Sequence, residues 1–199
     1  HSMSLCFTDS GSCRRSDVLK IFERMNLTDS KGFETKWNEM VKFTDEAILL
    51  LEKTGDGFGV LNSSYLPSES MIPVLAAFLR MVDKEFGTLE KTCNEKIGCW
   101  YWSSALTNAY SGSSDSQKTL DYKEIIKWFK HDDEIPESIV YLRNNFFTSI
   151  RLSTVEKKNA SNFNAILALC ALRGARDWYS NSEVRNQASF ATIIAKSWT

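Results

Sequence analysis

Few residues of this sequence are of the types that usually perform catalysis. Histidine occurs twice, and His1 begins a His-Ser-Met sequence that is typical of residues left by a cloning vector. His131 is then the single histidine available for a catalytic triad, and its run of charged neighbours favours a solvated loop. Asp132, Asp133 and Glu134 in that run carry oxygens suited to a hard cation, although such runs are usually only solvated. We therefore predict a chain that is not an enzyme by itself and that binds no metal and no cofactor.

The cysteines and the glycine-rich segment argue against two other kinds of site. The chain has five cysteines, an odd number, and Cys93 and Cys99 do not have a zinc-binding spacing. We interpret them as reduced thiols of a cytoplasmic protein, with Cys93 and Cys170 in the core. Segment 55–59, Gly-Asp-Gly-Phe-Gly, lacks the Lys and Ser/Thr of a phosphate-binding loop and follows a predicted helix. This pattern favours a flexible connector.

Aromatic, hydroxyl and cationic side chains form the candidate binding surface. Trp100 and Trp102 belong to a run of aromatic residues that can stack bases, although core packing is the favoured alternative for neighbouring helical positions. Two arginines three residues apart can hold a phosphate, whereas the aspartate after them favours an ion pair. The Tyr-Ser-Gly-Ser segment provides either an anion site or a plain helix-ending turn. The candidate residues are Trp100, Trp102, Tyr110, Ser111, Ser113, Arg173, Arg176 and Asp177.

The elements that position these residues are predicted to be helices. Among 199 residues there are only three prolines and nine glycines, and 43% of the residues are hydrophobic. So few helix breakers argue against a β-sandwich, and no apolar run reaches the roughly 20 residues of a membrane span. Three- and four-residue periodicity predicts an all-α, single-domain bundle of six to eight helices over 16–199. Residues 1–15 are predicted to be a tag remnant and a flexible start.

The same periodicity predicts which residues form the core. The clearest amphipathic stripe lies in a helix that ends before residue 55 and consists of Phe33, Trp37, Val41, Thr44, Ile48 and Leu51. Gly174 stands on the apolar stripe of a later helix, where glycine costs about 1 kcal/mol relative to alanine. We therefore expect it to contact another helix backbone. A last helix is predicted over 190–195. The predicted core consists of Trp37, Leu75, Leu79, Trp100, Trp102, Phe146, Ile166 and Cys170.

Three stretches of the chain together resemble a known family. They are residues 66–75, residues 100–114 with Asp121 following, and residues 165–178. Their order and spacing resemble the helical region of the prokaryotic family called domain of unknown function 262, which includes the GmrSD-type type IV restriction endonucleases. The resemblance covers about residues 33–180. Ala109 departs from it, because many relatives carry an arginine at this position before the Tyr-Ser-Gly sequence.

The resemblance implies a fragment without catalytic machinery. Proteins of this family are similar to ParB and sulfiredoxin in an N-terminal module whose Asp-Gly-Gln-Gln-Arg motif is linked to nucleotide hydrolysis. Many also carry a C-terminal HNH nuclease module with a His-His-Ile-Phe-Pro motif. This chain contains neither motif. The resemblance therefore implies an excised, non-catalytic helical module that spaces the catalytic modules of a defence-type nuclease.

Two kinds of partner remain open from the sequence. The leading hypothesis includes the flanking modules and a weak DNA contact, and the alternative is a protein-interaction or oligomerisation scaffold without a nucleic-acid role. The net charge of −1 provides no general attraction for nucleic acid, and no membrane contact is expected. An exposed apolar patch would favour a protein partner. A basic face would favour DNA, and it would consist of Lys123, Lys127, Lys130, Arg173 and Arg176.

Overall fold

The protein is α-helical, as its sequence predicts. A computed structural model describes residues 1–25, 29–87, 90–149 and 161–176, together with Tyr179 and Asn181. Across these ranges there is no β-sheet, which confirms the all-α fold class. The helices of these ranges are α1 (Ser2–Phe7), α2 (Arg15–Leu19), α3 (Ile21–Arg24), α4 (Ser30–Glu52), α5 (Ile72–Glu85), α6 (Glu90–Leu106), α7 (Ser114–Lys130), α8 (Glu137–Ser149) and α9 (Ser161–Leu172).

Helix α5 lies at the centre of the fold. Five consecutive residues, Val74 to Phe78, are buried, which is the signature of a helix surrounded on all sides. It packs against α1, α4, α6 and α7, while α6 in turn packs against α8 and α9. The Phe78 ring lies 5.0 Å from Trp100 and 5.9 Å from Phe129, between centroids. The centre of the core is therefore a group of aromatic rings from α5, α6 and α7.

The first residues of the chain belong to this core. Met3, Leu5 and Cys13 are buried, and the Cys13 N–H donates to Thr119 Oγ1 on α7 over 2.9 Å. Buried Ser4 donates its hydroxyl to the carbonyl oxygen of residue 12 at 2.5 Å. The prediction of a flexible start over 1–15 is therefore wrong. Its polar composition was misleading because buried serines are satisfied by backbone hydrogen bonds.

Helix α4 buries a different face from the one predicted. Its buried residues are Met40, Phe43, Ala47 and Leu51, whereas Trp37 is 52% exposed. Met40, Phe43 and Ala47 each lie one residue before a residue of the predicted row, so the two rows occupy adjacent faces of one helix, and Leu51 is buried as predicted. The placement of Trp37 in the core is wrong, and α4 carries an apolar row outside the core as well as one inside it.

Helix α9 ends earlier than the sequence predicts. Gly174 has φ +71° and lies in the turn after the helix. Its N–H donates to the Ala171 carbonyl, and the Ala175 N–H donates to the Cys170 carbonyl, which is the pattern of a Schellman cap. No atom of the described residues outside its own turn lies within 4 Å of the position that a Cβ would take at Gly174. The expected contact with another helix backbone is therefore wrong, because this glycine is needed for its left-handed conformation.

The close approach occurs instead at Gly59. Its φ is +69°, and a Cβ there would lie 2.7 Å from the carbonyl oxygen of Ala168 on α9. Phe58 and Val60 on either side are buried, and their N–H groups donate to carbonyls near the end of α4. Segment 55–59 is therefore not a flexible connector. It is packed between α4 and α9.

The remaining predicted core residues divide into four groups. Leu75, Trp100 and Cys93 are buried as predicted. Leu79, Trp102 and Ile166 are half-buried, and Cys170 is exposed, so the placement of Cys170 in the core is wrong. The side chain of Phe146 and the predicted helix over 190–195 lie outside the described residues.

Candidate functional site

The second sequence motif forms a buried hydrogen-bond network around one carboxylate. Asp121 on α7 is 3% exposed, and its Oδ2 accepts from Trp100 Nε1 at 2.7 Å and from the Tyr110 hydroxyl at 2.6 Å. Its Oδ1 accepts from Gln117 Nε2 at 2.6 Å. The network ties α6, the turn after it and α7 together. Trp100 and Tyr110 are therefore core residues, which confirms the core-packing alternative and removes them from the candidate surface.

Burial dominates the electrostatics of this network. It raises the pKa of the Asp121 carboxyl above its ordinary value, while the hydrogen bonds from Tyr110, Trp100 and Gln117 limit the rise. Burial and the adjacent carboxylate also raise the pKa of Tyr110 strongly. Neither group reaches solvent to any useful extent, because both side chains are at least nine-tenths buried. The network can hold elements together, and it offers no surface to a substrate.

The hydroxyl-rich segment is a helix-ending turn. Asn108 has φ +57°, and the Ala109 N–H donates to the Ser104 carbonyl at 3.0 Å, which closes α6 with a Schellman cap. Ser111 and Ser113 are exposed in this turn, and Ser113 stands at the N-cap of α7 without a side-chain capping bond. The turn alternative of the sequence analysis is confirmed. The aromatic residues beside it point into the core and not towards these serines.

The two arginines lie beyond a helix and not on one. Arg173 and Arg176 are exposed in the turn that follows α9, and Arg176 Nη1 is 3.5 Å from the carbonyl oxygen of Asn181. The assumption that they share a helical face is wrong, because α9 ends at Leu172. Asp177 lies outside the described residues, so its predicted ion pair with Arg173 stays a prediction.

The lysines of α7 form a row that is mixed with acidic groups. Lys123, Lys127 and Lys130 are exposed at four- and three-residue steps, which places them on one face. Burial and the charges of Asp121 and Glu137 raise the pKa of nearby Glu124, whereas Lys127 lowers it. Three further acidic residues follow the helix at 132–134. The basic face considered from the sequence is thus a short row of lysines with carboxylates beside it.

The charged run after α7 is tied to α6. Lys96 is buried, and its Nζ donates to Asp132 Oδ1 at 2.6 Å and to the Trp128 carbonyl at 2.5 Å. The hydrogen bond and positive charge of Lys96 lower the pKa of Asp132. His131 is exposed beside this pair. Within the described ranges, no three His, Cys, Asp or Glu side chains come together as metal ligands.

An exposed apolar surface runs along α3 and the outer face of α4. Phe22 is 60% exposed, and its ring centroid lies 5.0 Å from Phe33, which in turn lies 6.0 Å from Trp37. Val41 and Ile48 continue the row along α4 at helical spacing and are also exposed. We call Phe22, Phe33, Trp37, Val41 and Ile48 the outer apolar row.

Sequence reasoning found most of this row and assigned it to the wrong environment. Residues 33, 37, 41 and 48 belong to the predicted core stripe, and Phe22 lies on the preceding helix α3. The signal that distinguishes them is a second periodic set, Met40, Phe43 and Ala47, which competes for the core. Helix α4 therefore carries apolar side chains on two adjacent faces, of which one fills the core.

Comparisons with known proteins give a distant relative and no established function. The chain is 23% identical over 186 residues to "Uncharacterized protein MJ0686" of Methanocaldococcus jannaschii. That alignment covers 91% of this chain and 29% of the relative, so the chain spans less than a third of the protein that it matches. No family model and no solved structure matches the chain.

None of the described helices combines the length and the apolar character that crossing a bilayer requires.

Proposed function

We propose that this chain is a non-catalytic helical module of a larger prokaryotic, GmrSD-like nuclease, and that it docks on another module through its outer apolar row. The resemblance of three sequence stretches to that family supports the nuclease assignment. The relative from Methanocaldococcus jannaschii supports a longer parent protein, because this chain aligns with 29% of it.

One observation carries the docking role. The half-buried Phe33 ring packs against the core and contacts the rings of exposed Phe22 and exposed Trp37, while the inner face of α4 fills the core. Contiguous exposed aromatic residues are characteristic of protein interaction sites. Aromatic side chains also provide the anchors that carry most of the binding energy at such sites. The outer apolar row is therefore the surface that meets another module.

A weak DNA contact is the second candidate. The exposed row of Lys123, Lys127 and Lys130 favours it, and the neighbouring carboxylates limit its strength. Contacts of this kind are non-specific and sensitive to salt, because they act through phosphate charges. This contact would assist a nuclease module without making it catalytic.

The decisive experiment measures binding to the other parts of the parent protein. The polypeptides encoded before and after this chain in its parent reading frame are purified and titrated against the wild type, Trp37→Glu and Lys127→Glu by sedimentation velocity. We expect Trp37→Glu to weaken the complex at least about tenfold, because a charge replaces an aromatic anchor. Lys127→Glu is the matched control and should bind like the wild type. Equal binding by all three proteins would contradict the docking role.

A further inference from the structure

The outer side of α4 has the residue spacing of a helix-pairing seam. Trp37, Val41, Thr44 and Ile48 follow one another at steps of four, three and four residues. This is the spacing of the a and d positions through which one α-helix packs along another. Thr44 Oγ1 donates to the Met40 carbonyl at 2.7 Å, so this hydroxyl needs no partner from outside. We call these four side chains the α4 seam, which extends over about 16 Å of the helix.

The charged residues beside the exposed members of the seam are all acidic. Side chains three or four residues apart are neighbours on a helix surface. At these distances in sequence from Trp37, Val41 and Ile48, α4 carries three charged residues and no lysine or arginine. All three are exposed carboxylates, which we call the acidic edge: Glu34, Asp45 and Glu52.

The acidic edge is not neutralised by cations of the same helix. Lys42 pairs with Glu46 at 3.6 Å, and Lys53 pairs with Asp56 at 3.9 Å. Among the residues that the structure describes, no carboxylate of the acidic edge takes part in an ion pair. These carboxylates therefore remain available to a cation from a partner.

The other edge of the seam is closed by the core. Met40 and Ala47 each precede a seam residue by one position, and both are buried. Asp45 and Glu52 lie seven residues apart, so they occupy equivalent positions of the heptad. Charges at positions that flank a seam determine which helix pairs with it and in which orientation. A helix on the α4 seam would therefore meet charge on one side, and that charge is negative.

A second copy of this chain does not fit the seam. In an antiparallel pair, the acidic edge of one copy would face the acidic edge of the other, and like charges would repel. In a parallel pair, the acidic edge would face the buried Met40 and Ala47 of the other copy, which provide no cation. The charge pattern therefore favours a helix of different sequence.

We propose, on the basis of the docking role above, that the occupant of the α4 seam is a single amphipathic helix of a partner polypeptide with lysine or arginine along one edge. Its apolar side chains pack on Trp37, Val41 and Ile48, and its cations meet Asp45 and Glu52. The apolar seam provides affinity, and the acidic edge discriminates against helices whose facing edge is acidic.

The first test uses the whole chain and two synthetic peptides. Both are capped helical peptides of about 21 residues with leucine at the a and d positions, and one has lysine at every e and g position where the other has glutamate. Like charges keep each peptide from pairing with itself. Binding is measured by fluorescence anisotropy at two salt concentrations. We expect the lysine peptide to bind at least about tenfold more tightly, with an advantage that shrinks at high salt.

Charge reversal locates the selectivity on the acidic edge. Asp45→Lys combined with Glu52→Lys should reverse the preference, so that the glutamate peptide binds about tenfold more tightly than the lysine peptide. The matched control is Asp133→Lys combined with Glu134→Lys, which changes the net charge equally at exposed positions after α7. It should keep the preference for the lysine peptide. Val41→Glu places a charge in the seam and should weaken both peptides.

Three results would overturn this inference. They are no measurable binding of the lysine peptide to the wild type, equal affinity for the two peptides, and an unchanged preference in the Asp45→Lys and Glu52→Lys double variant. Each of them contradicts the selection of a cationic helix by the acidic edge.

Titration of the polypeptides from the parent reading frame separates this inference from the docking role. The double variant at Asp45 and Glu52 should weaken their binding about tenfold. If Trp37→Glu weakens that binding and the double variant does not, the docking role stands and the cationic helix is refuted. If the peptide preference reverses but Trp37→Glu binds those polypeptides like the wild type, the docking role is refuted and the selectivity of the seam stands.

Discussion

Three glycines allow backbone strain to be separated from steric contact. Gly59 and Gly174 have almost the same conformation, with φ of +69° and +71°. They differ in their surroundings, because a Cβ at Gly59 would lie 2.7 Å from the Ala168 carbonyl oxygen, whereas the space around Gly174 is open. Gly98 has neither the positive φ nor the close contact, since it is helical and the described residues leave open space around its Cβ position. Alanine at each position therefore tests one combination of the two effects.

The expected magnitudes follow from these geometries. Gly174→Ala should lower the free energy of unfolding by about 1 kcal/mol, the cost of a left-handed conformation for a residue with a Cβ. Gly59→Ala has the same cost and adds a clash with a helix carbonyl that cannot rotate away, so we expect a loss of about 3 kcal/mol or more. Gly98→Ala should raise the free energy of unfolding by about 1 kcal/mol, because alanine is the better helix former.

Urea unfolding followed by circular dichroism measures all three variants under the same conditions. The variants are compared by their free energies of unfolding. An unchanged m-value shows that the surface exposed on unfolding is the same in each variant. Equal losses for Gly59→Ala and Gly174→Ala would refute the close approach between the 55–59 segment and α9. A loss of stability in Gly98→Ala would refute the open space at the Cβ position of Gly98.

Three further predictions concern the buried network, the two faces of α4 and catalysis. Asp121→Asn should lower the free energy of unfolding by about 3 kcal/mol, because one acceptor oxygen cannot serve three donors. Since burial raises the pKa of Asp121, the folded state holds that proton more tightly, and the loss should grow as pH falls from neutral towards about 4. Trp37→Glu should change stability by less than about 0.5 kcal/mol, whereas buried Phe43→Ala should cost about 3 kcal/mol or more in the same melts. The purified chain should neither cut plasmid DNA nor hydrolyse nucleoside triphosphates with magnesium present, and activity lost on His131→Ala would contradict this expectation.

The central helices were predictable because their sequence leaves no alternative. Residues 74–78 are apolar or small at every position, so whichever face is chosen, the helix must be surrounded. The aromatic run around Trp100 is similar, since adjacent bulky residues cover most of the helix circumference. In both helices the apolar residues surround the helix axis, so no buried face has to be chosen from the periodicity. The apolar composition of the segment is enough to predict its burial.

The face of α4 and the role of Gly174 were not predictable in the same way. Met40 and Val41, or Ala47 and Ile48, are neighbouring residues that are both apolar, and the choice between them depends on the packing of α4 against α1 and α5. A glycine on an apolar stripe fits either a close helix contact or a left-handed helix end, and only the position at which α9 ends decides between them. These errors come from tertiary contacts that local sequence does not encode.

Two members of the candidate surface, Trp100 and Tyr110, are buried for a related reason. Trp100, Tyr110 and Asp121 are of types that bind ligands, and they do form a specific arrangement, but they bind one another. A buried carboxylate with three hydrogen-bond donors has the same chemical groups as a ligand-binding site. It differs from such a site because solvent and ligands cannot reach it. Residue types predict which groups interact, whereas exposure decides whether a ligand can take part.

Helix α4 presents apolar side chains on two adjacent faces. Its inner row fills the core, and its outer apolar row lies beside it, with Trp37, Val41 and Ile48 exposed. The helix is anchored by buried Phe43 and Ala47, so the exposed side chains stand on a backbone that the core holds in place. On the proposed function, a partner that binds this row would meet a preorganised surface and would not have to order it on binding.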